Sequence, residues 1–308
     1  MPEKTQCPLP AAGVVSDAES GLLRERTWRD TTFFIVLRQF SRNRTALVGL
    51  ILILTLVLLG LLAPLVAPYH YATIDPINAN KGPSAAHWFG TDAYGRDILS
   101  RILYGARYSI GIGFGSSMIG VVIGILFGAV AGYFGGWVEN LILRACDVIQ
   151  SIPNILLCIL VSQTLGTGIF STMVALSFYS IPEVVRLLRA TMLSLKEQEF
   201  IEASRAINCS NLRIMLSHIL PNSLSPVIVS FSVGVGMKIM NSAGLSFLGL
   251  GIQDPIPEWG AMIAAGRAQL RYAPHAVLFP GIFVALIVLA FNIVGDGLRD
   301  SLDPKQRR

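Results

Sequence analysis

The chain of 308 residues is poor in charge, since only 14% of its residues are Asp, Glu, Lys or Arg, whereas soluble domains usually carry about 25%. More than half of it, 53%, is hydrophobic. The net charge of +5 comes from basic residues at the ends of apolar runs rather than from one basic patch, which excludes a nucleic-acid partner. The composition predicts an all-helical integral membrane protein in contact with the lipid bilayer.

Several catalytic and ligand-binding motifs are also absent. The chain has no G-x-x-x-x-G-K-[ST] loop, so it cannot bind and hydrolyse ATP by that route. It has no H-E-x-x-H, and no Ser/Lys dyad or paired carboxylates in an apolar run, which disfavours an intramembrane protease and a proton-driven carrier. The four cysteines form no C-x-x-C pair and have no histidine at ligand spacing. We therefore predict no catalytic residue, no disulfide and no metal site.

The apolar residues are gathered in six runs that match the ~30 Å thickness of the hydrocarbon core. These runs cover residues 46–66, 108–130, 141–165, 169–188, 223–245 and 277–294. Arg42 and Arg44 precede the first run, and Lys305, Arg307 and Arg308 lie in the last four residues. The positive-inside rule therefore predicts six spans with both termini in the cytoplasm.

This topology divides the chain into three parts. We predict a cytoplasmic tail at 1–45, a six-helix domain at 46–300 and a cytoplasmic tail at 301–308. Within the domain, loops of about 67–107 and 246–276 lie outside, and a loop of about 189–222 lies inside. Residues 1–30 lack the apolar core of a signal peptide. Residues 22–42 mix aromatic and basic residues, which suits either an amphipathic helix at the membrane interface or a simple lead-in to the first span.

Small residues and prolines predict how the spans pack and bend. Gly120, Gly124 and Gly128 form a small-x-x-x-small ladder on one helix face, which lets another helix approach closely. Pro153 should kink the third span and Pro182 the fourth.

A few polar residues lie in or near the spans. We expect Asp147 to pair with Arg144 near the cytoplasmic surface. Glu183 should pair with one of two following arginines, Arg186 or Arg189. Three further residues are candidates for a translocation path: Asn154, Gln163 and Lys238. Lys238 lies deep in the fifth span, where it either extends to the interface or faces a pore or a partner subunit.

The inside loop reads E-A-S-R-A-I-N-C-S-N-L-R-I-M-L-S-H-I-L-P from Glu202 to Pro221. Good helix formers precede Asn208, and Asn is the residue after Gly that most readily adopts the left-handed backbone of a helix end. A second short helix follows, with apolar residues at i, i+3, i+4 and i+7, and Pro221 ends it or opens the next helix. The pattern predicts a rigid pair of helices that can dock into a groove of a soluble partner.

The outside loops also carry long motifs. One reads G-T-D-A-Y-G-R-D-I-L-S-R-I-L-Y-G-A-R up to Arg107, in which Asp97 and Arg101 have the i, i+4 spacing of a helical ion pair. Arg96, Asp97 and Arg101 are candidates for an outer mouth or for structural pairing there. The second loop contains S-F-L-G-L-G and P-I-P-E-W-G, where we expect Trp259 to anchor the chain at the membrane interface.

These three stretches resemble permease subunits of ATP-binding-cassette (ABC) importers. The inside loop resembles the E-A-A…G…L-P loop of that family, with Ser204 at the second Ala, Asn208 at the Gly and His218 where Ile is common. The outer strings resemble the dipeptide, oligopeptide and nickel branch, in particular its C-type subunit.

The resemblance implies a type I importer permease in a bacterial cytoplasmic membrane. It implies a heterodimer with a second permease, two cytoplasmic ATPases that bind the ATP and Mg, and an extracytoplasmic substrate-binding protein. No cofactor would bind this chain. The residues implied to contact an ATPase, or to shape the loop that does so, are Glu202, Ala203, Ser204, Arg205, Asn208, Leu220 and Pro221.

The expected substrates are di- and oligopeptides, and nickel, glutathione or another small peptide-like solute are alternatives. Two other classes remain open from the residues alone. An ion-coupled secondary transporter would need a titratable acid inside the membrane, for which Asp147 is the one candidate. A purely structural subunit of a membrane complex is the third hypothesis.

Overall fold

The computed structural model describes residues 32–302, and this part of the chain contains twelve α-helices and no β-strand. The helices are α1 (Thr32–Arg42), α2 (Arg44–Leu61), α3 (Ala63–Val66), α4 (Ile98–Phe134), α5 (Gly136–Gln150), α6 (Asn154–Leu165), α7 (Ile169–Lys196), α8 (Glu199–Ala206), α9 (Asn211–Ile214), α10 (Leu220–Phe247), α11 (Trp259–Gly266) and α12 (His275–Leu302). The helix α1 covers part of the segment 22–42, whose first ten residues lie outside the described residues. The final six residues of the predicted C-terminal tail also lie outside them.

Four helical stretches in the described residues are long and apolar enough to cross a membrane. They are α2, α4, the stretch from Asn211 to Phe247 and α12. The pair α5 and α6 together would make a fifth. The helix α7 spans 28 residues but has charged residues in its C-terminal half. The all-helical membrane fold is confirmed, whereas the six-span count and the cytoplasmic termini stay predictions.

The predicted third span is not one kinked helix. Helix α5 ends at Gln150, α6 begins at Asn154, and their axes differ by 89°. Pro153 lies between them with an extended backbone, at φ −54° and ψ 137°. A proline has no N–H to donate and disfavours helical geometry in the residue before it, so the helix stops instead of bending.

The predicted second span begins earlier than expected. Helix α4 starts at Ile98, ten residues before the predicted 108, because the side chain of Asp97 caps it by accepting the Ser100 N–H at 2.7 Å. Its 37 residues make a helix of ~55 Å, much longer than the hydrocarbon core.

The predicted glycine ladder is the contact between α4 and α7. A methyl group on Gly120, Gly124 or Gly128 would meet Ser180, Val184 or Leu188 of α7. Each glycine therefore faces one turn of α7 across a close helix contact. The prediction of a packing face on α4 is confirmed.

The ladder leads to a stability prediction. In Gly124→Ala, the added Cβ would lie 2.5 Å from Val184 Cβ, and we expect a loss of about 1–3 kcal/mol from overpacking. Gly111→Ala on the same helix is the matched control, because nothing lies within 4 Å of its added Cβ. Thermal unfolding of both variants in detergent measures the difference. Equal melting temperatures would contradict a tight α4–α7 contact.

The described residues contain two large buried clusters. The first joins α1, α2, α4, α10 and α12, with Ile53, Ile102, Ile239 and Ala290 among its members. The second joins α7, α8, α9 and α10 at the predicted inside loop. The outer face of α2 carries exposed Val48, Ile51, Leu54 and Leu58, as expected for a surface that faces lipid.

Candidate functional site

The predicted inside loop forms a short helix followed by a long one. Helix α8 covers Glu199–Ala206, and α9 starts at Asn211. The expected second short helix is not separate, since α9 continues through a π-helical turn at Met215–Ile219 into α10. Pro221 is the second residue of α10 and directly follows the π-helical turn and Leu220. Helix α8 and the start of α9 form a knob on the end of this span that we predict to be cytoplasmic.

Asn208 makes the turn between α8 and α9. Its φ is +62°, its N–H donates to the Arg205 carbonyl at 2.9 Å, and the next N–H, of Cys209, donates to the Ser204 carbonyl at 3.2 Å. These two bonds define a Schellman motif with Asn at the left-handed position. The prediction that Asn208 ends the helix in a left-handed conformation is confirmed.

Ile201 fixes α8 to the membrane helices. It is fully buried in the second cluster, together with Leu188 and Met192 of α7, Ile214 of α9 and Val227 of α10. Truncating a side chain this buried from Ile to Ala lowers the stability of a protein by about 2–5 kcal/mol. Helix α8 therefore forms one packed unit with the adjoining ends of α7 and α10.

The residues predicted to contact an ATPase lie mostly on the surface of this knob. Glu202, Ala203, Arg205 and Asn208 are exposed. Ser204 is half-buried, and its hydroxyl donates to the Phe200 carbonyl at 2.8 Å. Leu220 is half-buried against the second cluster and Pro221 is exposed. The two charges, one acidic and one basic, lie one turn apart on α8 and are available to a partner.

Two substitutions at Asn208 should affect the stability of the protein differently. Asn208→Gly should keep the fold, because Gly adopts φ +62° without strain. Asn208→Val should lose about 1–2 kcal/mol, because a β-branched residue resists the left-handed region. Thermal unfolding in detergent measures both. Ser210→Val is the matched control, since Ser210 has an ordinary φ of −64° and its side chain makes no capping bond.

If Asn208→Val and Ser210→Val unfold at the same temperature, the turn does not depend on positive φ. In that case Asn208 has no special role in the shape of the knob.

A second group of predicted residues forms a buried charge cluster on the outer side. Arg96 and Arg101 are 5% and 2% exposed, and both contact Asp92 and Asp254. The Arg96 guanidinium lies 2.7 Å from Asp92 and donates twice to Asp254 at 3.2 and 3.3 Å. Arg101 donates to Asp254 at 3.1 Å and to the Tyr71 carbonyl at 3.1 Å.

The cluster holds both outside loops together. Burial lowers the pKa of Arg96, but the charges and hydrogen bonds of Asp92 and Asp254 outweigh it, so this pKa is raised. A cavity of about 170 Å³ lies beside the cluster and is also lined by Met262 and Gln269. The four charges join the first outside loop to the second across more than 150 residues of chain. They constitute structural pairing.

Asp97 differs from the prediction. It does not pair with Arg101 through its side chain, because it lies at the N-cap of α4 and accepts from Ser100. Its second oxygen lies 2.9 Å from Nδ1 of His87. The i, i+4 argument fails here because Asp97 is the capping residue, and its carboxylate accepts from the Ser100 N–H and hydroxyl.

Trp259 is also placed differently from the prediction. It is fully buried rather than at the membrane interface, and its indole N–H donates to the Ile102 carbonyl at 3.0 Å. Its backbone N–H donates to the Ser109 hydroxyl at 3.1 Å. The aromatic residue therefore locks α11 against α4. Gly105 on α4 allows the two segments to approach closely, because a methyl group there would lie 2.1 Å from the Pro257 carbonyl oxygen.

Glu258, the residue before Trp259, also fixes the start of α11. It caps α11 by accepting the Ala261 N–H at 2.7 Å, and the Ser246 hydroxyl donates to it at 3.0 Å. Burial raises the pKa of Glu258, opposed by the hydrogen bonds from Ala261, Gly260, Ser246 and Ser109. The P-x-P-E-W-G string is therefore a buried joint between the outside segment and α4.

The charge pairs predicted for the cytoplasmic side are confirmed in part. Asp147 contacts its predicted partner Arg144 at 3.9 Å and, more closely, Arg186 of α7 at 2.6 Å. Arg189 pairs with Glu139 of α5. Arg186 and Arg189 are thus both bound to α5, because the break at Pro153 turns α5 along the end of α7.

Glu183 makes no ion pair within 4.0 Å in the part of the chain that the structure describes, so its expected pairing is wrong. It lines a small pocket with Lys238 of α10 and with Ser117 of α4. The other two predicted path residues lie outside this pocket. Asn154 accepts from the Cys158 thiol at 3.4 Å, and Gln163 is exposed.

Asp92, Asp254 and Glu183 are the functional candidates that the sequence patterns missed. Asp92 lies four residues before Arg96, a spacing that could have selected it as a partner. No local pattern selects Asp254, which lies 158 residues from Arg96.

The comparisons with known proteins agree with this geometry. The family described as binding-protein-dependent transport system inner membrane component matches residues 120–308, and the N-terminal TM domain of oligopeptide transport permease C matches residues 31–83. The chain is 45% identical over 280 residues to the dipeptide transport system permease protein DppC of Alkalihalophilus pseudofirmus, covering 91% of this chain and 90% of that protein. The chain belongs to the peptide and nickel family of ABC permeases.

Further relatives are similar in extent. The glutathione transport system permease protein GsiD of Escherichia coli is 46% identical over 269 residues, covering 87% of this chain and 89% of that protein. Among solved structures, an inward-facing form of the MetNI methionine ABC transporter matches with a TM-score of 0.56 and 18% identity, covering 67% of this chain and 98% of that one. At that identity the structural match shows the fold alone, which is that of a type I permease.

Family membership makes this ABC permease a multi-pass membrane transport protein and not an ATPase. It sets aside the ion-coupled secondary transporter and the purely structural subunit. Nucleotide-binding motifs in such systems belong to separate subunits.

Proposed function

We propose that this permease imports di- and oligopeptides across a bacterial cytoplasmic membrane, as one half of a heterodimeric pore. A second permease forms the other half, and a binding protein outside delivers the peptide. Two cytoplasmic ATPases bind ATP and Mg and supply the energy. The observation that supports a peptide substrate is the 45% identity to a dipeptide permease over 91% of the chain.

The α8 knob is the coupling element in this proposal. ATP binding closes the ATPase pair, and a groove on each ATPase carries the knob with it. Because Ile201 is packed against α7, α9 and α10, a displacement of α8 passes to the inner ends of these spans. Rocking of the spans between inward-open and outward-open states follows, which is alternating access. Glu202 and Arg205 are the polar contacts, and Ala203 and Ser204 permit a close approach.

The outer charge cluster has a supporting role. It holds the two outside loops as one surface, with Arg96 and Arg101 bound to Asp254 from the opposite loop. A rigid outer surface can receive a binding protein in one orientation and pass the motion of α4 to it. Asp97 contributes by capping α4 rather than by contacting the substrate.

Glutathione is the second candidate substrate, because the GsiD relative is 46% identical over a similar length. Both substrates are small zwitterions with a peptide backbone. A nickel substrate is less well supported, since no group of His, Cys, Asp and Glu side chains in the described residues could hold a metal ion.

The first test is a pull-down of the tagged chain from mild detergent with mass spectrometry of its partners. We expect the native chain to retain a second permease and ATPases. A double charge reversal, Glu202→Lys with Arg205→Glu, should lose the ATPases and keep the second permease. A chain that purifies alone would contradict the heterodimer, and retention of the ATPases by the variant would contradict docking through these charges.

The substrate is tested with the complete complex reconstituted in proteoliposomes with its binding protein. We expect ATP-dependent uptake of a labelled dipeptide, with unlabelled dipeptide competing better than unlabelled glutathione. Uptake of glutathione in preference to dipeptides would reverse the order of the two candidates.

A further inference from the structure

Lys238 is a buried cation in a membrane helix. It makes no ion pair in the described part of the chain. It is 8% exposed, and no carboxylate oxygen lies within 4.0 Å of its ammonium group. An ionisable residue in a span normally pairs with another charge or faces a water-filled path. Lys238 therefore has unused capacity for an anion.

The hydroxyl of Ser117 lies beside it and is also unused. Ser117 is 1% exposed, and its Oγ makes no hydrogen bond in the described structure. A buried hydroxyl without a partner costs about 1–3 kcal/mol. Ser117 on α4 and Lys238 on α10 line the same pocket, so two unsatisfied donors from different helices face one space.

Gly234 opens the space between these donors. A Cβ placed on Gly234 would lie 3.7 Å from Lys238 Nζ and 3.9 Å from Ser117 Oγ, with no backbone atom within 4 Å. The space of about 20 Å³ holds a group about the size of one water molecule. It therefore admits one carboxylate oxygen and not a whole solute, so the rest of the solute must extend out of the pocket.

The carboxylate of Glu183 lies at the exposed side of the same pocket. Glu183 and Lys238 line it from α7 and α10, opposite in charge and more than 4.0 Å apart. A zwitterion matches this arrangement, because its carboxylate can bind Lys238 and Ser117 while its ammonium group binds Glu183. A simple anion would be repelled by Glu183, and a simple cation by Lys238.

We propose that Lys238, Ser117 and Glu183 form a subsite in the translocation path that binds the charged ends of a zwitterionic peptide-like solute. This inference rests on the proposed function, since it names where the imported solute is held within this chain. One carboxylate oxygen of the solute occupies the space that Gly234 leaves open.

The test uses the complete complex in proteoliposomes with its binding protein. Gly234→Ala is the sharpest variant, because the methyl group fills the space at ordinary contact distances and Ala favours a helix. We expect ATP-dependent dipeptide uptake to fall about tenfold, the effect of losing a charge-assisted hydrogen bond. ATPase stimulation by the loaded binding protein should persist, and the melting temperature should not fall.

Gly244→Ala is the matched control on the same helix, since nothing lies within 4 Å of its added Cβ. It should leave uptake unchanged. Lys238→Met should lower uptake like Gly234→Ala, and adding Glu183→Gln to it should not restore uptake. Recovery in that double variant would show that the two charges only balance each other, which overturns the subsite.

Unchanged uptake in Gly234→Ala also overturns the subsite, while the proposed function stands because the wild type still imports peptide. Loss of complex assembly or of the basal ATPase rate in Gly234→Ala would assign the pocket to packing and overturn it as well. A wild-type complex that imports neither dipeptides nor glutathione overturns the proposed function, and the subsite with it.

Discussion

Glu202→Lys should reduce ATP-dependent uptake at least about 100-fold while the permease remains folded in the membrane. Glu202 is exposed on the first turn of α8, and it makes no ion pair within 4.0 Å in the described chain. Its replacement should therefore change the stability of the permease by less than about 0.5 kcal/mol. A groove that accepts an acid repels a lysine, and a like-charge contact across an interface costs several kcal/mol.

The measurement is peptide uptake by the reconstituted complex, together with the amount of ATPase that copurifies. Glu202→Gln is the graded control, because it keeps the size of the side chain and removes only its charge. We expect Glu202→Gln to fall between wild type and Glu202→Lys, with all three melting at similar temperatures. Normal uptake by Glu202→Lys would mean that this acid does not contact the ATPase.

Trp259→Ala should destabilise the permease by about 3–5 kcal/mol. The side chain is fully buried between α11 and α4, and the indole donates to the Ile102 carbonyl at 3.0 Å. Truncation leaves a large cavity and an unpaired carbonyl, and the protein cannot refill the space because α11 is also held by the Glu258 cap. Thermal unfolding in detergent should show a markedly lower melting temperature.

Two variants separate the contributions of Trp259. Trp259→Phe keeps most of the ring and loses the indole N–H, so we expect a loss of about 1–2 kcal/mol. Trp88→Ala is the control for removing a tryptophan from a surface, since Trp88 is 68% exposed, and it should change little. If Trp259→Ala melts like Trp88→Ala, Trp259 is not a core residue.

Features that depend on local geometry could be predicted from the sequence. The glycine ladder of α4 needs only a four-residue spacing on one helix, and α7 packs against it as expected. The left-handed backbone of Asn208 depends on its own residue type and on the helix formers before it. The resemblance of the outer strings to peptide permeases, which rested on residue order, agrees with the 45% identity to a dipeptide permease over 91% of the chain.

Partners far apart in the chain could not be predicted in this way. Arg101 had a close acid in sequence, Asp97, yet it binds Asp254 because the second outside loop folds onto the first. Arg186 and Arg189 had Glu183 nearby, yet they pair with Asp147 and Glu139 because the break before α6 turns α5 against α7.

Composition, helical periodicity and turn-forming residues were sufficient to specify an all-helical membrane protein with a helix end at Asn208, and the resemblance of its motifs indicated a permease. These properties follow from how each residue interacts with its own helix, with the lipid and with water. The choice among charge partners, the burial of Trp259 and the meeting of Ser117, Glu183 and Lys238 in one pocket were decided by tertiary packing. Electrostatic and packing energies depend on distance in space, and sequence spacing gives that distance only within a single helix.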